Sequence, residues 1–241
     1  MFFFKKSEKK EFQYLFSWAD KLELPEENFP RDIDTLKNLT VLDLSGNGIK
    51  KLPIELENLT SLSSLNLSYN DIITLPKVLC KLKKLTKLYL DENAIKTLPQ
   101  EIQNLSNLTE FYLHGNQIIE FPKEIFQLTN IQKLYLDDNH ITEIPSDIKY
   151  LRNLRVLYLE ENELTQIPQE IGLLEELLEL NLAHNSILKI PKEIGKLSNL
   201  AKLNLSNNQI TEIPKEMENL MSLDWLDLEN NELTCYNTNN N

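Results

Sequence analysis

Apolar residues recur along this chain at a fixed interval rather than in the drifting stripe of a long helix. Between Leu154 and Glu176 they occupy positions 1, 4, 6, 11, 14, 18 and 21 of a 23-residue unit: Leu154, Leu157, Leu159, Leu164, Ile167, Ile171 and Leu174. Position 9 of this unit is Asn162, and the same residue returns in phase at Asn47, Asn70, Asn93, Asn116, Asn139, Asn185, Asn208 and Asn231. Position 15 is proline in every unit that has one, from Pro53 to Pro214. Self-similarity at a period of this size is the mark of a solenoid, in which each unit buries its apolar side against its neighbours.

Each position has a physical reading. Leu157-Tyr158-Leu159 alternates inward and outward, which predicts a short strand. Strands of successive coils would stack in parallel about 4.8 Å apart. A recurring Asn at the inward turn after a strand needs partners for its amide, and backbone groups of neighbouring coils are the available ones. Pro168 opens the return segment, where a missing N–H costs nothing. Ile171 and Leu174 then share one face of a single helical or 3₁₀ turn. A return side wider than the strand side predicts a curved stack with the strands on its concave face.

Read as LxxLxLxxNxIxxLPxxIxxLxx, the unit resembles the leucine-rich repeat family. It is similar to the 23-residue class of Ras-pathway scaffolds, plant intracellular proteins and many bacterial proteins. The resemblance covers Leu39 to Leu233 without a slip in register. It implies an α/β solenoid, a horseshoe with a parallel concave sheet, short helical or 3₁₀ convex segments and an Asn ladder.

The expected organisation is an N-terminal helical cap and half-repeat over 1–38, repeats over 39–236 (eight full, the ninth partial) and a disordered tail over 237–241. Within the cap, Phe12, Leu15, Phe16, Ala19 and Leu22 make one apolar stripe, which predicts a helix over 8–22. Phe29-Pro30, Ile33 and Leu36 match positions 14, 15, 18 and 21, so a half-coil precedes Leu39. The ninth strand is expected to be an edge carrying Asp224, Trp225, Asp227 and Glu229. The chain reads as a monomer, with an edge-mediated dimer as the alternative.

Charge narrows the partner. Lys and Arg number 25 against 37 Asp and Glu, a formal net charge of −12. That balance argues against nucleic acid and anionic membranes, which select a basic footprint. No stretch reaches the roughly 18 apolar residues of a membrane span. The start, MFFFKKSEKKEF, has too short an apolar run for a secretory signal. A cytoplasmic location is expected, with export by a signal-independent route as the alternative. Cys80 and Cys235 lie seven coils apart, about 34 Å at strand spacing. A disulfide needs Cα atoms within about 7 Å, so they are not expected to pair.

Function in such a fold sits on the outward strand positions. Position 5 reads Asp43, Asn66, Tyr89, Tyr112, Tyr135, Tyr158, Asn181, Asn204 and Asp227. Four tyrosines run down the middle of the concave face, close enough to pack edge on edge. Tyrosine supplies stiff contact area with a polar tip, which suits an interface. Beside them stand Asp91 and Glu92, Asp137 and Asp138, Glu160 and Glu161, with Lys87, Glu110, Lys133 and Arg155. Over coils three to six these are seven acids against three bases. An aromatic stripe with an acidic flank suits a partner surface bearing Lys or Arg. The partner-binding candidates are Tyr89, Tyr112, Tyr135, Tyr158, Lys87, Lys133, Asp137, Asp138, Glu160 and Glu161.

Other chemistry is thinly supported. A calcium site from Asp137, Asp138, Glu160 and Glu161 lacks a dedicated loop spacing. His114, His140 and His184 fall on different coils and read as surface histidines. Phe126, Tyr150 and Leu173 are expected to form a small convex apolar patch. Nothing resembles a Ser/His/Asp or Cys/His set, so neither catalysis nor a cofactor is expected. The reading is a protein-protein interaction module. The alternative is an exported bacterial effector or adhesin-type receptor for a host surface or small ligand.

Overall fold

The computed structural model describes residues 6–234. The expected tail, Cys235 included, lies outside the described residues. The chain forms one nine-stranded parallel sheet in sequence order, β1 (Val41–Asp43), β2 (Ser64–Asn66), β3 (Lys87–Tyr89), β4 (Glu110–Tyr112), β5 (Lys133–Tyr135), β6 (Val156–Tyr158), β7 (Glu179–Asn181), β8 (Lys202–Asn204) and β9 (Trp225–Asp227). Each pairing advances by one repeat, so Leu134 stands opposite Phe111 on one side and Leu157 on the other. The molecule is a curved solenoid with this sheet on its concave face.

The repeat pattern explains the elements. Position 4 of each coil, the middle of its strand, points inward and is buried from Leu65 to Leu203, while positions 3 and 5 face out. After the strand, position 8 takes a left-handed turn. Its φ is +49° to +56° at Tyr69, Glu92, Asp138, Glu161, His184, Asn207 and Asn230 and reaches +70° at Gly46. Only glycine adopts that conformation without cost. The chain returns through 3₁₀ turns such as Gln169–Leu173. Pro168 precedes this turn as its cap, with extended φ −69° and ψ 147°, rather than being its first residue.

The Asn ladder is built as the repeat implies. Asn139 Nδ2 donates to Leu113 O (3.0 Å) in the previous coil and to Leu136 O (3.1 Å) in its own. Its Oδ1 accepts from Ile118 N at 3.0 Å. Two further ladders were not read from the sequence. At position 23, Asn107, Asn130, Asn153 and Asn199 each donate to a carbonyl of the coil before, at 2.7–2.8 Å. At position 2, the hydroxyls of Ser63, Thr86 and Thr109 do the same at 2.9–3.0 Å.

The N-terminal end is covered by helix α1 (Lys6–Lys21), which starts two residues earlier than the apolar stripe predicts. Phe12, Leu15 and Ala19 are fully buried against the first coils, and Glu11 accepts from Asn58 at 3.3 Å. Helix α2 (Ile33–Asn38) supplies the half-coil, capped by Asp32 Oδ1 accepting from Thr35 N at 2.8 Å. At the other end Leu226 is 40% exposed, whereas the same position in every earlier coil is buried.

Candidate functional site

The concave face presents its position-5 side chains in register, so one residue type repeated along it becomes a stack. Tyr89 pairs with Tyr112, Tyr112 with Tyr135 and Tyr135 with Tyr158. The rings of Tyr89 and Tyr112 lie 4.4 Å apart at 16°, and those of Tyr112 and Tyr135 lie 4.6 Å apart at 6°. The expected edge-on packing is therefore corrected for these two pairs. A spacing near the strand separation of about 4.8 Å holds the rings face to face. Tyr158 is followed by Asn181 rather than a fifth ring. Free on that side, it turns to 65° against Tyr135 at 5.1 Å and donates its hydroxyl to Glu179 Oε2 at 3.0 Å.

The two edges of the ladder differ in charge. On the position-3 edge Glu110 accepts from Tyr112 Oη at 2.8 Å and stands 3.2 Å from Lys87 Nζ and 3.7 Å from Lys133 Nζ. Burial pushes its carboxyl up, but Tyr112 and the two lysines together hold it below its ordinary range. Lys87 and Lys133 are thus partly spent on neutralising this edge. The position-7 and position-8 edge carries Asp91, Glu92, Asp137, Asp138, Glu160 and Glu161. Among the described residues the only basic side chain within ion-pairing distance of this edge is the His114 imidazole, with Nε2 3.3 Å from Glu92 Oε1 and Nδ1 2.9 Å from Asp137 Oδ2.

Burial raises the Asp137 carboxyl to about 6 against the pull of His114, and its Oδ1 is buried without a hydrogen-bond partner. Glu160 accepts from Asn181 Nδ2 at 2.7 Å, and Asp138 and Glu161 are exposed. The structure does not gather Asp137, Asp138, Glu160 and Glu161 into one cation site. The cluster it assembles among the described residues is Glu92, His114 and Asp138, whose ligand atoms lie within 4.8 Å of one another. His114 is half-buried among carboxylates, not a free surface histidine as expected; His140 and His184 are exposed.

The tyrosine hydroxyls are titrated late by the same surroundings. Burial, then the bond to Glu179, pushes the Tyr158 phenol up to about 12, and Tyr112 and Tyr135 are raised as well. A phenol whose folded value lies above the ordinary value of about 10 favours the fold while protonated. The stability it lends is complete below about pH 10 and is lost as pH climbs through the folded value. Tyrosinate absorbance should therefore show a late-titrating subset of the eight tyrosines, with unfolding setting in as that subset ionises. A single titration step centred at the ordinary value would contradict the half-buried ladder.

Past Tyr158 the face opens into a cleft of about 410 Å³ lined by Tyr158, Glu179, Asn181, Lys202, Asn204 and Trp225. Lys202 is held by Glu179 at 2.8 Å. The sequence places Trp225 only as an edge residue; in the structure it also lines this cleft. On the convex side the expected patch is only partly there. Phe126 is buried and stacked on Phe121 at 5.3 Å, leaving Tyr150 and Leu173 exposed.

The family of leucine-rich repeat regions matches residues 20–135, and the leucine rich repeat family matches 129–187 and 175–233. The chain is a leucine-rich-repeat protein. No curated protein sequence matches it. Three solved structures similar to this leucine-rich-repeat protein span two kinds of molecule. A TDR receptor is 31% identical with a TM-score of 0.74, over 80% of this chain and 35% of its own. The plant peptide hormone receptor RGFR1 in complex with RGF2 is 34% identical with a TM-score of 0.73, over 85% of this chain and 34% of its own. Internalin C2 from Listeria monocytogenes is 29% identical with a TM-score of 0.74, over 81% of this chain and 83% of its own. The repeats here thus span about a third of the length of the two receptors. Among the described residues no helix is long and apolar enough to cross a membrane.

Proposed function

We propose that this leucine-rich-repeat protein is a binding module that takes a protein partner with a Lys- or Arg-bearing surface on its concave face, around Tyr112, Tyr135 and Tyr158. The observation that carries the reading is the ladder itself. Three consecutive aromatic contacts run along the sheet, and an acidic edge whose one basic neighbour is the His114 imidazole runs beside them. Rigid stacked rings offer contact area that loses little side-chain freedom on binding. An unneutralised acidic edge attracts a basic partner and sets its orientation. The RGFR1 structure, solved with RGF2, is consistent with a peptide or protein as the bound species. Binding, not catalysis, is the activity this surface supports.

The test is affinity capture with the wild-type chain and two variants. One is Tyr112→Ala/Tyr135→Ala/Tyr158→Ala, whose fold is checked by thermal melting; the other is Glu161→Lys at an exposed position. A partner retained by wild type, lost with the triple variant and weakened at least several-fold by Glu161→Lys supports the reading. A partner held equally by all three places the site elsewhere. The cleft between Tyr158 and Trp225 favours a second reading, a receptor for a small ligand or a surface. That reading predicts that Trp225→Ala alone abolishes binding while the Glu161→Lys chain binds normally.

A further inference from the structure

We propose that Glu92, His114 and Asp138 form a binding site for one divalent transition-metal ion of the zinc class, at the edge of the concave face. The three residues come from three successive coils. The left-handed turn at position 8 places Glu92 and Asp138 on either side of His114 at position 7 of the coil between them. Their ligand atoms already lie within 4.8 Å of one another. Four-coordinate zinc holds N and O ligands about 2.0–2.2 Å away, which separates neighbouring ligand atoms by roughly 3.3–3.5 Å. His114 Nε2 and Glu92 Oε1 stand at that separation, 3.3 Å. Asp138 is exposed and free to close the remaining distance.

Two independent features of the surroundings fit a metal site. Glu92 lies across Gly115 at position 8 of the next coil, where a Cβ would stand 2.9 Å from its Oε1 and Cδ and push the carboxylate from its present place. Asp137 stands 2.9 Å from His114 Nδ1, on the side of the ring away from Glu92. The two are near but not aligned as a hydrogen bond, so Asp137 acts on the ring through its charge: a carboxylate on that side favours the proton on Nδ1 and leaves Nε2 as the lone-pair donor. The donor set also chooses the ion. An imidazole with two carboxylates suits zinc-class metals, whereas calcium and magnesium select all-oxygen sets. Three protein ligands leave a fourth position for water or a partner's side chain. The proposal does not depend on the partner-binding reading.

The experiment is calorimetric titration of the full, chelator-treated chain with Zn²⁺ alone, repeated on His114→Gln and His140→Gln. Melting curves with and without Zn²⁺ accompany each titration. One equivalent bound by wild type, retained by His140→Gln and weakened at least tenfold by His114→Gln supports the site. Under the same reading Zn²⁺ raises the melting temperature of wild type and not of His114→Gln, since only a native-state site stabilises the fold. Titrating Ca²⁺ in place of Zn²⁺ should give no comparable heat. Absence of binding below about 0.1 mM, or equal binding by wild type and His114→Gln, overturns the proposal, as does loss of binding in His140→Gln. If His114→Gln does not fold, Asp138→Asn at the exposed ligand replaces it and must weaken Zn²⁺ binding in the same direction.

Discussion

Asn139→Ala is expected to lower stability by about 3 kcal/mol. Asn139 is 4% exposed and its side chain serves four backbone groups of two coils. Truncation leaves the buried Ile118 N–H without its partner and takes a bond from Leu113 C=O, which keeps only the one from Asn116 Nδ2. Each orphaned buried group costs about 1–3 kcal/mol. For a chain of this size that corresponds to a fall of roughly 6–12 °C in melting temperature. Asn153→Ala is the control. Its amide also spans two coils, donating to Thr129 O at 2.8 Å, but it is exposed and water can replace it. It should cost below about 1 kcal/mol. Equal losses in the two variants would mean that the Asn at position 9 is there for turn conformation alone. The test is sharp because both residues are asparagines repeated at the same interval, differing only in which side of the coil they occupy.

The fold was legible because its determinants are local and repeated. Leu157, Asn162 and Pro168 each state their role within one coil, and the in-phase copies remove the ambiguity a single strand or turn would carry. What the sequence could not state was relations between coils that depend on side-chain direction. Ring orientation in the ladder follows from the strand spacing and from whether a fifth ring continues the stack, as Asn181 shows at Tyr158. The Glu92, His114 and Asp138 cluster was missed because its members hold different repeat positions and meet only through a left-handed turn. A signal for that turn was present. Five of the nine coils carry Gly46, Gly115, Asp138, Asn207 or Asn230 at position 8, residue types that tolerate positive φ, although Tyr69, Glu92 and Glu161 there do not. Phe126 was misplaced for a related reason. It leaves the solvent by stacking on Phe121, a partner outside the return segment itself.

Gly172→Ala is expected to cost about 2 kcal/mol, although alanine is the better residue by local propensity. Position 19 faces the next coil, and only at Gly172 and Gly195 is it glycine. A Cβ on Gly172 would lie 2.3 Å from Glu193 O and 2.9 Å from Glu193 Cβ; on Gly195 it would lie 2.2 Å from Glu216 O. The obstacle in each case is backbone, so no rotamer change relieves it. The return segments Gln169–Leu173, Lys192–Lys196 and Lys215–Asn219 accordingly pack more closely than the others along the stack. Gly172 needs no left-handed φ, so alanine gains about 0.4–1 kcal/mol through the unfolded chain. Overpacking of a fixed interior costs about 1–3 kcal/mol and more where backbone must move, which outweighs that gain. Thermal melting decides it: an unchanged or raised midpoint would mean that the coils separate freely there. The double variant with Gly195→Ala carries more information. Coil seven provides the Glu193 that Gly172 meets and the Gly195 that meets Glu216, so moving it away from coil six drives it into coil eight. The double variant should therefore cost more than the two single variants summed, since sites sharing one displaced segment are coupled. Simple additivity would show that each coil yields independently, and that the curvature of the stack is set by the strands alone.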